Sequence, residues 1–417
     1  MEGCWDAVQI PVLITPNMLS AARSQSKSTT ITYSMPGKCS WASLRRGLTF
    51  PVFIVIHLPI IKNITAGSRL RRSEKQWIAV HRRGLIIMSS DLLIINPMKA
   101  RLDISTVCQL KCVLCPTEVD NGRDFLGRGM MVPSEFANFI EQNRQIKMVE
   151  MASAGEALLN PDLPEILRIA YERNVTTSLG GGVNMNDVSD EALEALVRYQ
   201  TARIRISVDG VTEETYRKYR VGGSLGKVLA NIKKINEFKV KHHSALPELV
   251  LQFILFGHNE HELDKVFVLG RMLNMKVFIK LNRWPEQFAV KDRQRIRNLC
   301  GFADRGEFLD ATGMQYCRDL CMGLWTAPQI NWDGRLLGCG CNSLMAFAEY
   351  ALGRAFLQEI NNERMQYARK MLMGTASPRN DISCSHCDFY KQIAENKLWY
   401  TANEVNAAMS NPSGCQE

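Results

Sequence analysis

From Met98 to Leu299 the chain alternates short β-rich runs with stretches of helical period, and that alternation limits the fold more than any other feature. The strand-like runs are Arg101–Thr106, Met148–Ala152, Thr176–Leu179, Arg203–Val208, Leu249–Phe256 and Lys276–Leu281. Between them, Ser134 after Pro133 reads as the N-cap of a helix through Gln145. Further helices are expected at Leu163–Arg173, Asp190–Tyr199, Glu213–Tyr219, Leu225–Lys239 and Glu260–Leu273. Six strands with helices between them predict an α/β fold built on a parallel sheet, open or closed toward a barrel. In such a sheet, function belongs at the carboxyl ends of the strands.

The first strand is followed by Cys108-Gln-Leu-Lys-Cys112-Val-Leu-Cys115, three thiols spaced C-x3-C-x2-C. Thiols this close, with no secreted disulfide scaffold around them, point to metal or redox work. A closed zinc site wants four protein ligands, whereas a cubane iron-sulfur cluster held by three cysteines keeps one iron free of protein, a place for chemistry. The triplet resembles the signature of radical SAM enzymes. That resemblance implies a [4Fe-4S] cluster on Cys108, Cys112 and Cys115, with S-adenosylmethionine chelating the fourth iron. Leu114 stands where the family often has an aromatic residue, a departure that leaves the ligands in place. The fold it implies is a partial (β/α)6 TIM-like barrel.

The other strand ends carry further resemblances. Ser153-Ala-Gly155-Glu156, after the second strand, is similar to the family's Gly-Gly-Glu motif, which receives the amino group of S-adenosylmethionine; Ala154 replaces its first glycine. Ser207-Val-Asp209, after the fourth strand, looks like the ribose-binding strand end, where residues i and i+2 point to the same side. Arg220 is placed to pair with the methionine carboxylate, because a guanidinium binds that group with two hydrogen bonds. The Gly180-Gly-Gly-Val-Asn184 stretch lets backbone approach a ligand, and Gly257-His258-Asn259-Glu260 resembles the loop near the adenosyl group. Alone, each is also an ordinary turn, helix end or cap.

A second cysteine group begins at Cys317-Arg-Asp-Leu-Cys321 and continues, after an Asp333-Gly334 hairpin signal, with Cys339-Gly-Cys341 and Cys384-Ser-His-Cys387. Two separated cysteine pairs also suit zinc. The group resembles the SPASM or twitch extension of radical SAM enzymes. This implies one auxiliary [4Fe-4S] cluster on Cys321, Cys339, Cys384 and Cys387, with Cys317 and Cys341 as alternates, in a small cysteine-rich α+β domain. Cys4, Cys39, Cys300 and Cys415 follow no ligand spacing.

The whole net charge of +9 lies in residues 1–100, which hold thirteen Lys and Arg against four Asp and Glu, while the rest is balanced. No broad basic surface argues for nucleic acid. Residues 1–97 read as a basic, poorly defined segment, 98–300 as the radical SAM core and 301–417 as the auxiliary domain. A chain rich in cysteine and methionine without a clean signal peptide points to the cytoplasm. The apolar run Phe50–Ile61 contains Pro51, His57 and Pro59 and is shorter than the roughly 20 residues of a membrane span.

The function these features imply is reductive cleavage of S-adenosylmethionine to a 5'-deoxyadenosyl radical that takes hydrogen from a peptide or protein. The auxiliary cluster would aid electron transfer, and flavodoxin or ferredoxin would donate the electron. An alternative is oxidation or rearrangement of a small alcohol, amino sugar or cofactor precursor. A zinc-stabilised nucleic-acid-binding protein is a third reading, opposed by the balanced charge of the body.

Overall fold

The computed structural model describes residues 92–115, 117, 122–284 and 286–410, with 122 and 123 by backbone alone, and the backbone of 77–81 and 84–88. Most of the basic N-terminal segment, the Phe50–Ile61 run, Cys4, Cys39 and Cys415 lie outside the described residues. Strands Trp77–His81 and Gly84–Met88 pair as an antiparallel hairpin, Trp77 opposite Met88, within a unit separate from the main body.

The main body is built on one eight-stranded sheet. Its first six strands are β1 (Lys99–Leu102), β2 (Met148–Glu150), β3 (Thr176–Val183), β4 (Arg203–Ser207), β5 (Glu248–Leu255) and β6 (Lys276–Leu281), side by side in sequence order and all parallel. The expected parallel α/β architecture is therefore present, with β6 at one open edge. At the other edge β7 (Gln329–Ile330) pairs parallel with β1, and β8 (Leu336–Gly338) returns antiparallel to β7 across the Asp333-Gly334 turn.

Helices cross between the strands: α1 (Pro133–Gln142), α2 (Leu163–Glu172), α3 (Asp190–Arg198), α4 (Glu213–Tyr219), α5 (Leu225–Lys241) and α6 (Leu263–Met272). Each turns an apolar stripe inward, such as Leu163, Ile166, Leu167 and Ala170 of α2. Fully burying one such leucine stabilises by roughly 1.5–3 kcal/mol. The exposed pairs Lys234–Asp190 and Lys241–Glu194 between α5 and α3 contribute about 0–1 kcal/mol each, so burial holds the layers together. Ser189, Thr212 and Ser224 accept backbone N–H groups as N-caps of α3, α4 and α5. Ser134 does not cap α1: Val132 holds that position and Pro133, with its φ already helical, is the first helical residue.

Two strands differ from their expected bounds for reasons that matter to the site. β1 ends at Leu102 because residues 104–106 leave the sheet: Thr106 N donates to Gly129 O (3.0 Å) and Ile104 O accepts Met131 N (3.0 Å). β3 runs through the three glycines to Val183, with a register shift between Leu179 and Val183.

After β6 come α7 (Arg293–Cys300), α8 (Arg305–Thr312), α9 (Asp319–Thr326), α10 (Glu363–Leu372), α11 (Asp388–Glu395) and α12 (Ala402–Ser410). Arg369 of α10 is wholly buried and donates to the carbonyls of Leu93, Leu324 and Ile360, tying the start of the body to its C-terminal helices. Among the described residues no helix is long and apolar enough to cross a membrane.

Candidate functional site

The cysteine loop is pinned by every second residue. Leu110, Cys112 and Leu114 are buried and form a cluster with Tyr219 and Phe256, with Cys108, Cys115 and Trp284 packed against it. Leu114 is thus packed within this apolar cluster. The backbone is fixed as well, since Lys111 N donates to Val221 O (2.9 Å) and Val113 N to Tyr219 O (3.3 Å). Asn184 Nδ2 lies 3.7 Å from Cys108 Sγ, and Arg220 Nη1 lies 3.5 Å from Cys112 Sγ. Burial pushes the Cys108 thiol up to about 12 and also raises Cys112, which the Arg220 charge pulls back. Thiols so held become thiolates only against a metal or another cation.

The glycine loop is held by Asp103, the first residue beyond β1. Its Oδ1 accepts Ser153 N (3.2 Å) and Ala154 N (3.1 Å), while Oδ2 accepts Gln329 Nε2 (2.6 Å) from β7. The positive φ of this loop, +62°, falls on Gly155, and Ala154 adopts none. Alanine at 154 therefore fits without strain. A Cβ on Gly155 would lie 2.5 Å from the Thr106 backbone, so only glycine lets the two loops meet. At Gly181 a Cβ would lie 1.6 Å from Ala152 O, which explains why glycines continue β3.

Glu156 is buried, with Oε2 accepting Asn184 N (2.5 Å) and Oε1 accepting Leu158 N (3.2 Å); burial pushes its carboxyl up to about 7 despite these bonds. Ser207 Oγ, at the end of β4, accepts from Gln252 Nε2 (3.2 Å). Asp209 is fully buried: Oδ1 accepts Ile254 N (2.7 Å) and Oδ2 accepts Arg220 Nε (2.6 Å). Burial opposes the Arg220 charge, but Asp209 and Cys112 outweigh it and keep the guanidinium well above its ordinary range. His258 stacks on Phe256 with centroids 5.3 Å apart, and burial lowers its pKa.

A cavity of about 280 Å³ brings many of these groups together. Cys108, Cys112, Cys115, Gly155, Glu156, Ser207 and Arg220, all expected from the sequence, line it. Asp209 does not; it stands behind Arg220. Gln252, Lys280, Arg283, Arg305, Gln329 and Phe389 line it too and were missed. Lys280 alone left a trace in the sequence, a cation near the carboxyl end of the strand Lys276–Leu281 after the apolar run Val277-Phe-Ile279.

The second cysteine group divides in two. Burial drives the Cys321 and Cys384 thiols well above their ordinary range and Cys339 up to about 11. Cys339, Cys387, Cys384 and Cys341 each raise Cys321 further through their charge, so these thiols share one neighbourhood. Cys317 lines the cavity, as does Cys341, which belongs to that neighbourhood too. Among the described residues no three His, Cys, Asp or Glu side chains stand close enough to clasp a single metal ion. A pair of thiol sets, one of three and one of four or more, matches the donor chemistry of thiolate-ligated clusters.

Residues 102–269 match the model of the radical SAM superfamily. The chain thus carries a radical SAM domain, and with it the character of an enzyme. It is similar to a probable GTP 3',8-cyclase of Methanococcus maripaludis, 31% identical over 144 residues that make up 33% of this chain and 45% of that protein. It is also similar to PqqA peptide cyclase of Gluconobacter oxydans, 26% identical over 179 residues, 42% of this chain and 47% of the other. The chain spans about half the length of the curated relatives it matches. Among solved structures, SuiB of Streptococcus suis bound to the precursor peptide SuiA aligns with a TM-score of 0.52 at 12% identity, covering 72% of each chain, a likeness of fold.

Proposed function

We propose that this chain is a radical SAM enzyme that takes hydrogen from a peptide or protein side chain for oxidation or modification. The observation that carries the reading is one cavity lined jointly by Cys108, Cys112, Cys115, Glu156, Ser207 and Arg220. In this reading Cys108, Cys112 and Cys115 hold a [4Fe-4S] cluster, and Cys321, Cys339, Cys384 and Cys387 hold an auxiliary one. Residues 98–300 are the core and 301–417 the auxiliary domain. A cluster held by Cys108, Cys112 and Cys115 would supply the single electron needed for reductive cleavage of S-adenosylmethionine.

The protein's own contribution is orientation and shelter. Asp209 holds Arg220 Nε and Cys112 Sγ lies 3.5 Å from Nη1, which leaves Nη2 for the methionine carboxylate. Glu156 receives the amino group, and an ammonium beside it would draw its raised pKa back down and keep it ionised. Gly155 permits close backbone approach, and the Ser207 hydroxyl faces the ribose. Leu110, Leu114, Tyr219 and Phe256 keep water from the cysteine loop. Asn184 and Gln109, hydrogen bonded at 3.2 Å, brace that loop from β3.

A peptide substrate is supported by the similarity to PqqA peptide cyclase. The second reading, a small-molecule substrate, is supported by the similarity to GTP 3',8-cyclase. A low-potential donor such as flavodoxin or ferredoxin would supply the electron, and free thiols in this number suit the cytoplasm. Anaerobic reconstitution is expected to load iron and sulfide for about two cubane clusters, falling to one in Cys384→Ala/Cys387→Ala. Deuterium carried from a labelled peptide into 5'-deoxyadenosine would establish the substrate class. Zinc in place of iron, or deuterium transfer from small molecules alone, would overturn the corresponding part.

A further inference from the structure

The cavity is charged in a way that cofactor binding does not use up. Among its described lining residues Glu156 is the only carboxylate, whereas Arg101, Arg220, Lys280, Arg283 and Arg305 are cations. Arg220 is committed to Asp209 and Arg101 Nε donates to Ser153 Oγ (3.3 Å). Among the described residues, Lys280, Arg283 and Arg305 have no carboxylate partner, although all three are half-buried.

The heads of Arg283 and Arg305 are nevertheless held in place. The Arg283 guanidinium lies 4.9 Å from the ring centroids of both Trp284 and Phe389, and its turn is set by Asn282, whose side chain bonds Trp284 N, Trp284 O and Gln287 O. Arg305 donates Nε to Leu281 O (3.0 Å) and lies 4.6 Å from the Tyr316 ring centroid, leaving its Nη groups uncommitted. Lys280 sits at the carboxyl end of β6, opposite Ile254 in the register. The same cavity is lined by Gln329, which is 2% exposed and donates Nε2 to the Asp103 carboxylate, while its Oε1 has no partner. Three half-buried cations lining one cavity concentrate anions, and a buried free carbonyl calls for an N–H or O–H donor.

We propose that Lys280, Arg283 and Arg305 bind an oxyanion of the substrate, a carboxylate or a phosphate, while Gln329 Oε1 accepts a hydrogen bond from the same molecule. The proposal rests on the reading above, in which Arg220 takes the carboxylate of S-adenosylmethionine and the three cations remain for substrate. It narrows that substrate to an acidic one. A peptide would offer a glutamate or aspartate side chain to the cations and a backbone N–H to Gln329.

Calorimetric titration of the anaerobically reconstituted full chain tests this. The probes are acetyl-diglutamyl amide, its neutral diglutaminyl counterpart and inorganic phosphate. At least one anionic probe should bind, more weakly as salt rises, and at least tenfold more tightly than the neutral peptide. Whichever anion binds identifies the source of the oxyanion. Arg283→Gln and Arg305→Gln should each lower that affinity by about tenfold or more. Arg283→Lys, which keeps the charge, should retain most of it, so a folding defect cannot account for the loss. Lys276→Gln, at the amino end of the same strand, should bind as the parent does. If the cations only balance the charge of cysteine-bound iron, all probes bind alike and the substitutions change nothing, which overturns the proposal. An equal loss in Lys276→Gln, which would reflect net charge alone, also overturns it. Cofactor cleavage is measured separately: 5'-deoxyadenosine formation without anion selectivity defeats this inference alone, whereas anion selectivity without 5'-deoxyadenosine supports it and defeats the radical SAM reading.

Discussion

Gly155→Ala isolates the close approach on which the site depends. Its φ of +62° and that of Gly313, +64° at the end of α8, are nearly the same, so both alanine substitutions incur the same backbone strain, roughly 1–2 kcal/mol. Around Gly313 an added Cβ meets nothing within 4 Å. At Gly155 it meets Thr106 Cα and C at 2.5 Å and Ser105 O at 2.7 Å, all backbone atoms that cannot rotate aside. Forcing those apart adds about 1–3 kcal/mol, so Gly155→Ala should cost roughly 2–5 kcal/mol in all. Urea unfolding of the two variants beside the parent measures the difference. The displaced atoms lead directly into Cys108, so affinity for S-adenosylmethionine, read by equilibrium dialysis, should fall in Gly155→Ala and hold in Gly313→Ala. Equal stability losses with intact cofactor binding in both would refute the reasoning.

Three further outcomes are expected. Asp209→Asn strands the Arg220 charge in a buried position, a loss of about 3–5 kcal/mol, and weakens cofactor binding; Asp209→Asn/Arg220→Met should regain stability in urea unfolding without regaining that binding. Asp103, raised by burial from 3.8 to about 6, contributes stability that is present below pH 3.8 and lost as pH rises through about 6. Asp103→Asn should flatten that part of the stability profile, measured by urea unfolding at pH 4 and pH 6.5; an unchanged slope would contradict the assignment. Cys384→Ala/Cys387→Ala should keep part of the cleavage of S-adenosylmethionine while stopping product formation, by chromatography of both reactions.

Much of the fold was legible because its signals are local. The six strands and the helices between them follow from period and turn residues, and the cysteine loop, the Gly155-Glu156 pair and Ser207 fall at strand ends as that order requires. What escaped is long-range. Asp103 reads as one more polar residue in an alternating strand, yet its carboxylate joins the glycine loop to Gln329, 226 residues away. The Asp333-Gly334 pair announced a hairpin but not that β7 would lie against β1. Asp209 and Arg220 both looked like ligand contacts, and only the fold reveals that one holds the other. Arg283 and Arg305 are ordinary surface cations until Trp284, Phe389 and Tyr316 turn them toward a shared cavity.

The account rests on Cys108, Cys112 and Cys115 generating a radical from S-adenosylmethionine. Anaerobically reconstituted protein should convert it to 5'-deoxyadenosine with a strong reductant, and the triple alanine variant should form none. Unaffected turnover in that variant would contradict the account.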